Sequence, residues 1–378
     1  MPQADENLGD RTTILRREDT VPVGVQEEFG HYLVVIGGAG LGRRLRLDAG
    51  AALVIGRDSH CGLTLASPDV SRRHCRVELK GGEVVATDLN STNGTYVDGK
   101  RIGEPTALPD GSILEIGQQV IKHERRSTRE VQEAQELDRD LEKARNYVLS
   151  LLPAPIANSS PQAEWFIVPS AKVGGDAFGY GELDDGKFVS FLFDVSGHGI
   201  GAAMLSVSIL NILRQRALPG CDFKRPTEVL RRLNAMFQME DHNGMFFTIW
   251  YGVYDRRRQE LVYASAGHHP AYLVSADRAE VTPLKTNGPL IGVLEEFNLD
   301  EGSAQVPEGA SLHLFSDGVF EVDDRTGRQL GLASLLPLLQ QPPVEGRSDP
   351  QRIYQNVREF ARSGPLDDDF SYLAVRFR

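Results

Sequence analysis

Residues 191–199 read FLFDVSGHG, and this stretch decides how the second half of the chain is interpreted. The apolar residues at its start predict a buried β-strand, and its two glycines predict a turn directly after the strand. Asp194 lies at the end of that strand, where glycines let the backbone approach a ligand closely. A carboxylate in this setting suits a hard metal ion, although aspartate beside glycine is also an ordinary turn former.

Three other segments place an acidic residue at a strand end or beside glycine. Asp176 follows a pair of glycines, and Asp317 follows an apolar run and precedes another glycine. Asp368 is the middle residue of an acidic triplet that precedes the strand-like run 370–375. Carboxylates that converge repel one another unless a cation neutralises them. Oxygen ligands without a histidine or cysteine cluster favour Mg²⁺ or Mn²⁺ over Zn²⁺.

The order and wording of these segments resemble the PPM family of metal-dependent serine/threonine phosphatases, most closely its SpoIIE/RsbU-like branch. The motifs that carry the resemblance are GGDAFGY (174–180), DVSGHG (194–199), MFFTIWYGVYD (245–255), AGHHP (266–270), FSDGVFEV (315–322) and DDDFSYLAVRF (367–377). They cover most of residues 153–378, the predicted phosphatase domain. The resemblance implies a four-layer α-β-β-α sandwich, and the mixture of strand and helix patterns in this region agrees with an α+β domain.

The resemblance also implies two bound Mn²⁺ or Mg²⁺ ions and assigns their ligands. Asp194 would bridge both ions, and Asp317 and Asp368 would complete the shell of the first. Asp176 and the carbonyl oxygen of Val195 would bind the second. Asp194 and Asp317 are therefore the candidate catalytic residues. Such ions lower the pKa of a bound water and neutralise charge on the phosphoryl oxygens.

The roles of several other residues near these motifs stay open. Asp369 is the alternative ligand from the acidic triplet. His198 would act either as a proton donor or in a structural role. Lys172 is a candidate for the cation that grips phosphate, and the pair His268 and His269 is assigned no chemistry.

Residues 30–125 predict a separate β-sandwich, because short apolar runs alternate with glycine-rich turns. The loops carry GRDS (56–59), SRRH (71–74) and DLNSTNGT (88–95). Guanidinium groups together with hydroxyl and amide donors suit a phosphate ester. This order of motifs closely resembles the forkhead-associated (FHA) domain, a phosphothreonine-peptide binder, over essentially the whole region. His74 is expected to brace the loops.

By position, the FHA resemblance places Arg57, Ser71 and Arg72 against the phosphate. Thr92 and Asn93 would orient the peptide backbone. The alternative is that these loops fold normally and bind nothing physiological.

Residues 126–152 have a charged, helix-forming composition without glycine or proline and predict a helical linker. Apolar residues recur in it with 4-3-4-3 spacing, the pattern of a coiled-coil seam: Leu137, Leu141, Ala144, Val148 and Leu151. The seam predicts either one helix packed on its own domain or a short parallel coiled coil that joins two protomers. Residues 1–29 are polar and aperiodic and predict a disordered tail. Thr12 and Thr13 in that tail are candidate phosphorylation sites that the FHA domain would bind.

Composition excludes several classes of protein. The 378 residues carry a formal charge of −12, and the predicted phosphatase domain holds 21 basic and 29 acidic residues, which disfavours a nucleic-acid partner. The three cysteines are too few for a disulfide framework, and none begins the C-x5-R loop of a cysteine phosphatase. No apolar run is long enough to span a bilayer, and the N-terminus lacks the apolar core of a signal peptide. We therefore expect a cytoplasmic protein.

Together these features predict a bacterial-type signalling enzyme in which an FHA domain senses phosphothreonine, on a peptide or a kinase, and a helical linker passes that state to a phosphatase. The branch resemblance implies a phosphoserine substrate on an anti-anti-sigma (STAS) protein. The alternative from another class is a non-catalytic FHA adaptor that carries a pseudophosphatase domain.

Overall fold

The computed structural model describes residues 29–362 and 364–378. The chain forms two compact units whose boundary lies between Leu137 and Asp138. The predicted tail, with Thr12 and Thr13, lies outside the described residues except for Phe29. None of the helices within the described ranges combines the length and the apolar character that crossing a bilayer requires.

The first unit is a β-sandwich of two sheets. Its strands are β1 (Phe29–Gly37), β2 (Arg44–Leu47), β3 (Ala52–Gly56), β4 (Leu63–Thr64), β5 (Cys75–Lys80), β6 (Glu83–Asp88), β7 (Thr95–Val97), β8 (Lys100–Arg101), β9 (Thr106–Ala107), β10 (Ile113–Ile116) and β11 (Gln119–Ser127). One sheet has the order β2-β1-β11-β10-β7-β8 and the other β4-β3-β5-β6-β9. Alternate residues of β5 face inward, so that Cys75 and Val77 are buried while Arg76 and Glu78 are not.

The core of this sandwich is made by apolar residues of both sheets, among them Leu33, Ile55, Leu114 and Ile121, each fully buried. The predicted β-sandwich is therefore present. Strands β2, β4, β7, β8 and β9 are only two to four residues long, too short to show a periodicity of their own in the sequence.

The predicted linker helix is α1 (Thr128–Leu151), and it contains the boundary between the two units. It ends two residues before Pro153, because proline disfavours helical backbone in the residue that precedes it. Along the predicted seam Leu151 is buried and Leu141 is half-buried, whereas the side chain of Leu137 is exposed. The dimeric coiled coil stays a prediction.

The second unit contains two five-stranded sheets and four helices. The strands are β12 (Gln162–Val168), β13 (Ala177–Glu182), β14 (Lys187–Val195), β15 (Phe247–Asp255), β16 (Glu260–Ala266), β17 (Ala271–Val274), β18 (Val281–Leu284), β19 (Gly302–Gln305), β20 (Ser311–Phe315) and β21 (Phe370–Arg376). The helices are α2 (Ile200–Gln215), α3 (Pro226–Met236), α4 (Leu332–Leu339) and α5 (Asp349–Phe360). The sheet orders are β13-β14-β15-β16-β19 and β12-β21-β20-β17-β18.

Both sheets contribute to one large apolar core, which includes Phe193 and Trp250 from the first and Leu314 and Leu373 from the second. Helices α2 and α3 contact strands of the first sheet, and α5 contacts β12 and β21 of the second. Strand β14 is buried at every position from Phe188 to Phe193, so both of its faces are covered. Helix α5 begins at a capping box in which Ser348 and Gln351 each bond the other's backbone amide.

Strand register brings the predicted acidic positions to matching ends of the two sheets. In the first sheet Phe193 pairs with Ala177, so Asp194 near the end of β14 lies beside Asp176, which directly precedes β13. In the second sheet Phe315 pairs with Tyr372, which places Asp317 after one strand and Asp368 before its neighbour. The strands thus deliver four carboxylates to one junction.

Candidate functional site

Four aspartates from two sheets meet at this junction with different degrees of burial. Asp176 is only 3 % exposed, and Asp194 and Asp317 are half-buried. Asp368 is exposed at the rim. The site therefore has a buried floor and one open side.

Burial and mutual repulsion raise the pKa of all four carboxyl groups. For Asp194 burial comes first, followed by the charges of Asp317 and Asp368, and the result is a pKa of about 8. Burial and then the charge of Asp194 raise the pKa of Asp176 well above its ordinary value. Burial is also the largest cause of the raised pKa values of Asp317 and Asp368. Such shifts mark carboxylates that lack a positive partner.

The cations nearest in sequence to these aspartates are paired elsewhere. Lys172, the candidate for gripping phosphate, forms an ion pair with Asp138 of α1 at 2.8 Å. Arg362 pairs with Asp367, the first residue of the acidic triplet. The structure therefore does not bring Lys172 to the carboxylates as a phosphate ligand.

Asp369, the alternative ligand, has both side-chain oxygens bound to the polypeptide. One accepts hydrogen bonds from the Ser170 amide at 2.8 Å and the Ser170 hydroxyl at 3.0 Å. The other accepts from the Gly175 amide at 2.9 Å. A Cβ on Gly174 would lie 2.1 Å from that second oxygen, so only glycine fits there. Asp369 thereby holds the segment that leads into Asp176.

The donor set fits a hard divalent cation. Atom Oδ2 of Asp176 is buried and has no hydrogen-bond partner in the described residues. The carbonyl oxygen of Val195 lies against Gly175, where a Cβ would come within 2.7 Å of it. Every candidate ligand atom is an oxygen, as Mg²⁺ and Mn²⁺ prefer. Even so, no three His, Cys, Asp or Glu side chains in the described part of the chain are gathered closely enough to chelate an ion.

A cavity of about 180 Å³ adjoins Asp194 and Asp317 and is also lined by His268, His269 and Glu321. Atoms Nδ1 of His268 and His269 donate to backbone carbonyl oxygens at 2.9 and 3.0 Å. Their Nε2 atoms are therefore unprotonated acceptors, and both are buried without a hydrogen-bond partner among the described residues. Burial, then the charge of Asp317, raises the pKa of Glu321. Glu321 was not predicted at the site, although its place four residues after Asp317 is a weak signal.

His198 is exposed on the turn after Asp194. Its charge acts to lower the pKa of Asp368, so the two side chains are neighbours across the junction. This position leaves both of its predicted roles open.

In the first unit, hydrogen bonds gather the predicted loop residues. The Arg57 amide donates to the Ser71 carbonyl oxygen at 3.0 Å, and the Thr92 amide donates to the Ser71 hydroxyl at 3.1 Å. The Asn93 side-chain amide donates to the carbonyl oxygen of Asp69 at 2.8 Å. The side chains of Arg57, Arg72, Thr92 and Asn93 are exposed together on this face.

His74 braces these loops from inside, as the sequence predicted. It is fully buried, its Nδ1 accepts from the Ser71 amide at 3.1 Å, and its Nε2 lies 3.0 Å from the Gly94 carbonyl oxygen. Nε2 must therefore carry the proton and donate to Gly94. One neutral imidazole thus links two of the three loops.

Comparisons with known proteins agree with this geometry. The family model "Stage II sporulation protein E (SpoIIE)" matches residues 184–378, and the model "FHA domain" matches residues 53–117. Phosphoserine phosphatase RsbP of Bacillus subtilis is 30 % identical over 184 residues, which are 48 % of this chain and 45 % of RsbP. Phosphoserine phosphatase RsbU of the same organism is 26 % identical over 268 residues, 69 % of this chain and 76 % of RsbU. The chain therefore spans less than half the length of RsbP.

Among solved structures, the SiaA-PP2C domain of Pseudomonas aeruginosa superposes with a TM-score of 0.55 at 20 % identity. The superposition covers 65 % of this chain and 98 % of that domain. At this identity the likeness concerns the fold alone.

Proposed function

The chain belongs to the SpoIIE family of PPM-type phosphatases and carries an FHA domain, and from this we propose that it is a metal-dependent phosphoprotein phosphatase regulated by phosphothreonine. One observation carries the proposal: four aspartates from two sheets share a junction, none of them forms an ion pair with a described residue, and each has a raised pKa. Such an arrangement needs an external cation to hold all four groups ionised at neutral pH.

In this proposal two Mn²⁺ or Mg²⁺ ions would be held at the junction. Asp194 would be a ligand of both, Asp317 and Asp368 would hold the first, and Asp176 with the Val195 carbonyl oxygen would hold the second. The unpartnered Oδ2 of Asp176 supports its role as a ligand. The commitment of Asp369 to backbone amides supports Asp368 as the ligand from the triplet.

The ions would supply an activated water and neutralise charge on the phosphoryl group. The chain's own residues fix the geometry. Asp176 forms the buried floor of the site, and the exposed Asp368 leaves one side open to a phosphorylated segment of another protein. Around this site we infer the α-β-β-α layering of the PPM sandwich, with α2 and α3 outside one sheet and α4 and α5 outside the other.

The FHA domain would supply the regulation. Arg57, Ser71 and Arg72 bind the phosphate of a phosphothreonine peptide or kinase, and Thr92 and Asn93 hold its backbone. The shared exposure of these side chains on one face supports this assignment. The linker helix would pass the bound state to the phosphatase, and its exposed Leu137 suits a seam between two protomers, which light scattering of the full chain would test.

The substrate we propose is a phosphoserine protein of the anti-anti-sigma (STAS) type. RsbP and RsbU are both named phosphoserine phosphatases, which supports serine over threonine at the catalytic site. Phosphothreonine would then be the signal at the FHA domain, so that the two sites read different residues.

The test is hydrolysis of p-nitrophenyl phosphate by the full chain with Mn²⁺, compared with the same protein in EDTA. We expect turnover that depends on the metal and is preserved on a phosphoserine protein. A folded protein that binds Mn²⁺ without any turnover would contradict the proposal.

That contrary result would favour the FHA adaptor with a pseudophosphatase domain. One observation speaks for this rival: the acidic groups are not gathered at chelating distance. The presence of all four aspartates speaks against it.

A further inference from the structure

Arg101 lies against the loop that would receive the phosphopeptide. It is on β8, which pairs with β7 so that Arg101 is opposite Tyr96. A Cβ built on Gly94 would be 2.6 Å from Nε of Arg101 and 3.1 Å from its Cζ. The guanidinium group therefore covers Gly94, whose positive φ of 81° and missing side chain make room for it. Gly94 directly follows Asn93.

The arginines of this domain fall into two groups. Those away from the loops are engaged: Arg44 with Glu124, Arg46 with Asp48, Arg76 with Glu78, Arg126 with Glu124, Arg43 with the Thr64 carbonyl oxygen and Arg125 with the Phe29 ring. Those on the loop face form no ion pair with any described residue: Arg57, Arg72, Arg73 and Arg101. Unpaired guanidinium groups gathered on one face mark a surface for an anion.

One phosphothreonine does not need the positive charge of all four arginines on the loop face. A phosphate monoester carries a charge of about −2 at neutral pH, which Arg57 and Arg72 alone can balance. Arg101 lies against Gly94, the residue directly after Asn93, in the loop that would hold the peptide backbone. Hydrogen bonds between Ser71 and Thr92 join the loop of the proposed phosphate ligands to the loop that carries Asn93 and Gly94. A peptide whose backbone rests on Asn93 would therefore bring a neighbouring side chain, and not the phosphothreonine itself, to Arg101.

We propose that Arg101 is a second anchor of the FHA site, which selects phosphothreonine peptides that carry a further negative group beside the phosphothreonine. The group is a carboxylate or a second phosphate, since the guanidinium fork binds either. This inference rests on the proposed phosphopeptide function of the same loops.

A purely structural role for Arg101 would be to cover Gly94 and steady the turn. Its guanidinium group makes no hydrogen bond to the loop among the described residues, and the turn is already held by His74 through the Gly94 carbonyl oxygen. A structural role would also weaken all phosphopeptides equally, whereas an anchor affects only those with the second charge.

The experiment measures binding of phosphothreonine peptides to the full chain by calorimetry. One series places aspartate at each position from three before to four after the phosphothreonine, a second places phosphoserine there, and a third is neutral. We expect one or two positions at which aspartate improves affinity about fivefold, in the range of exposed charge pairs, with a larger gain for phosphoserine. Arg101→Gln should remove that gain and leave affinity for the neutral peptide unchanged.

Lys100→Gln is the matched control, because Lys100 is an exposed cation on the same strand whose side chain points to the opposite face. It should leave the gain intact. Raising the salt to 0.5 M should shrink the gain, since exposed charges are screened.

Three outcomes would overturn the inference: equal affinity for acidic and neutral peptides, equal weakening of both by Arg101→Gln, or the same loss with Lys100→Gln. Failure of the wild-type chain to bind any phosphothreonine peptide would instead refute the phosphopeptide function itself. Arg57→Ala separates the two, because it should abolish binding of every peptide in the series.

Discussion

Two sites in the phosphatase unit hold carboxyl groups whose pKa values are shifted in opposite directions. Asp349, at the start of α5, is 5 % exposed and is bonded to Arg278 and Arg352, the latter at 2.9 Å. Burial acts to raise its pKa, but the hydrogen bond from Arg278 leads the effects that outweigh burial, and the net pKa is lowered. Asp194 is half-buried and forms no ion pair with a described residue, and its pKa is raised to about 8.

The difference distinguishes a carboxylate that stabilises the fold from carboxylates that are available to bind a ligand. Asp349 has its counter-ions within the chain and joins α5 to the segment that carries Arg278. Asp176 and Asp194 form no ion pair with a basic residue in the described part of the chain, and each is repelled by neighbouring carboxylates, which costs stability in the free protein. A fold retains such a group when something outside the chain neutralises it.

The largest expected effect is on turnover. Asp194→Asn removes the proposed bridging carboxylate, so we expect metal-dependent hydrolysis of p-nitrophenyl phosphate to fall by at least a hundredfold, about 3 kcal/mol of barrier. Binding of Mn²⁺, measured by calorimetry, should weaken in parallel. Asp367→Asn is the control, because Asp367 is an exposed neighbour of the site paired with Arg362. If Asp194→Asn kept half of the wild-type turnover, the proposed role of Asp194 as a metal ligand, in contrast to the structural role of Asp349, would be wrong.

The second prediction concerns folding rather than catalysis. Asp349→Asn leaves two buried arginines without their carboxylate and should lower the free energy of unfolding of this unit by about 3 kcal/mol. Asp194→Asn should instead stabilise the metal-free protein, since it relieves repulsion. Urea unfolding in EDTA measures both variants against wild type. Equal destabilisation by the two substitutions would break the comparison.

The smallest effect is a pH dependence of stability with two limbs. Because the pKa of Asp194 is higher in the folded than in the unfolded protein, its contribution is lost as pH rises from about 4 to about 8. Because the pKa of Asp349 is lowered on folding, its contribution is lost as pH falls below about 4. We expect the melting temperature in EDTA to decline from pH 5 to pH 8 and Mg²⁺ to reverse the decline.

Asp194→Asn should flatten the upper limb and leave the acid limb unchanged. A wild-type melting temperature that rises toward pH 8 in EDTA would refute the repulsion on which this account depends.

Much of the fold could be predicted because local pattern and tertiary burial agree. The apolar runs Ala271–Val274 and Ser311–Phe315 are recognisable in the sequence and form strands β17 and β20. Helix α4 was missed because Pro337 lies inside its leucine-rich run, and proline is an unfavourable residue in a helix interior. Its formation depends on packing: Leu335 and Leu339 are buried in the core beside β20 and β21.

Long-range relations in the site could not be predicted. Asp368 and Asp369 are equivalent by local pattern, and only the approach of Ser170 and Gly175, nearly 200 residues earlier, distinguishes them. Arg101 gave no signal either, because its proximity to Gly94 arises from the pairing of β7 with β8. A sequence pattern indicates which residue types end a strand. It does not indicate which residues each side chain contacts in the folded protein.

The bonds of Asp369 also bear on how related sequences should be judged for activity. This residue is no proposed ligand, yet it fixes the segment before Asp176 while its chain neighbour Asp368 points to the rim. A relative that retained every proposed ligand but lost Asp369 would keep the residues of a working site and lose their alignment. If only the ligand positions were compared, inactive members of the family would be classified as enzymes. The presence or absence of a carboxylate at position 369 would identify them.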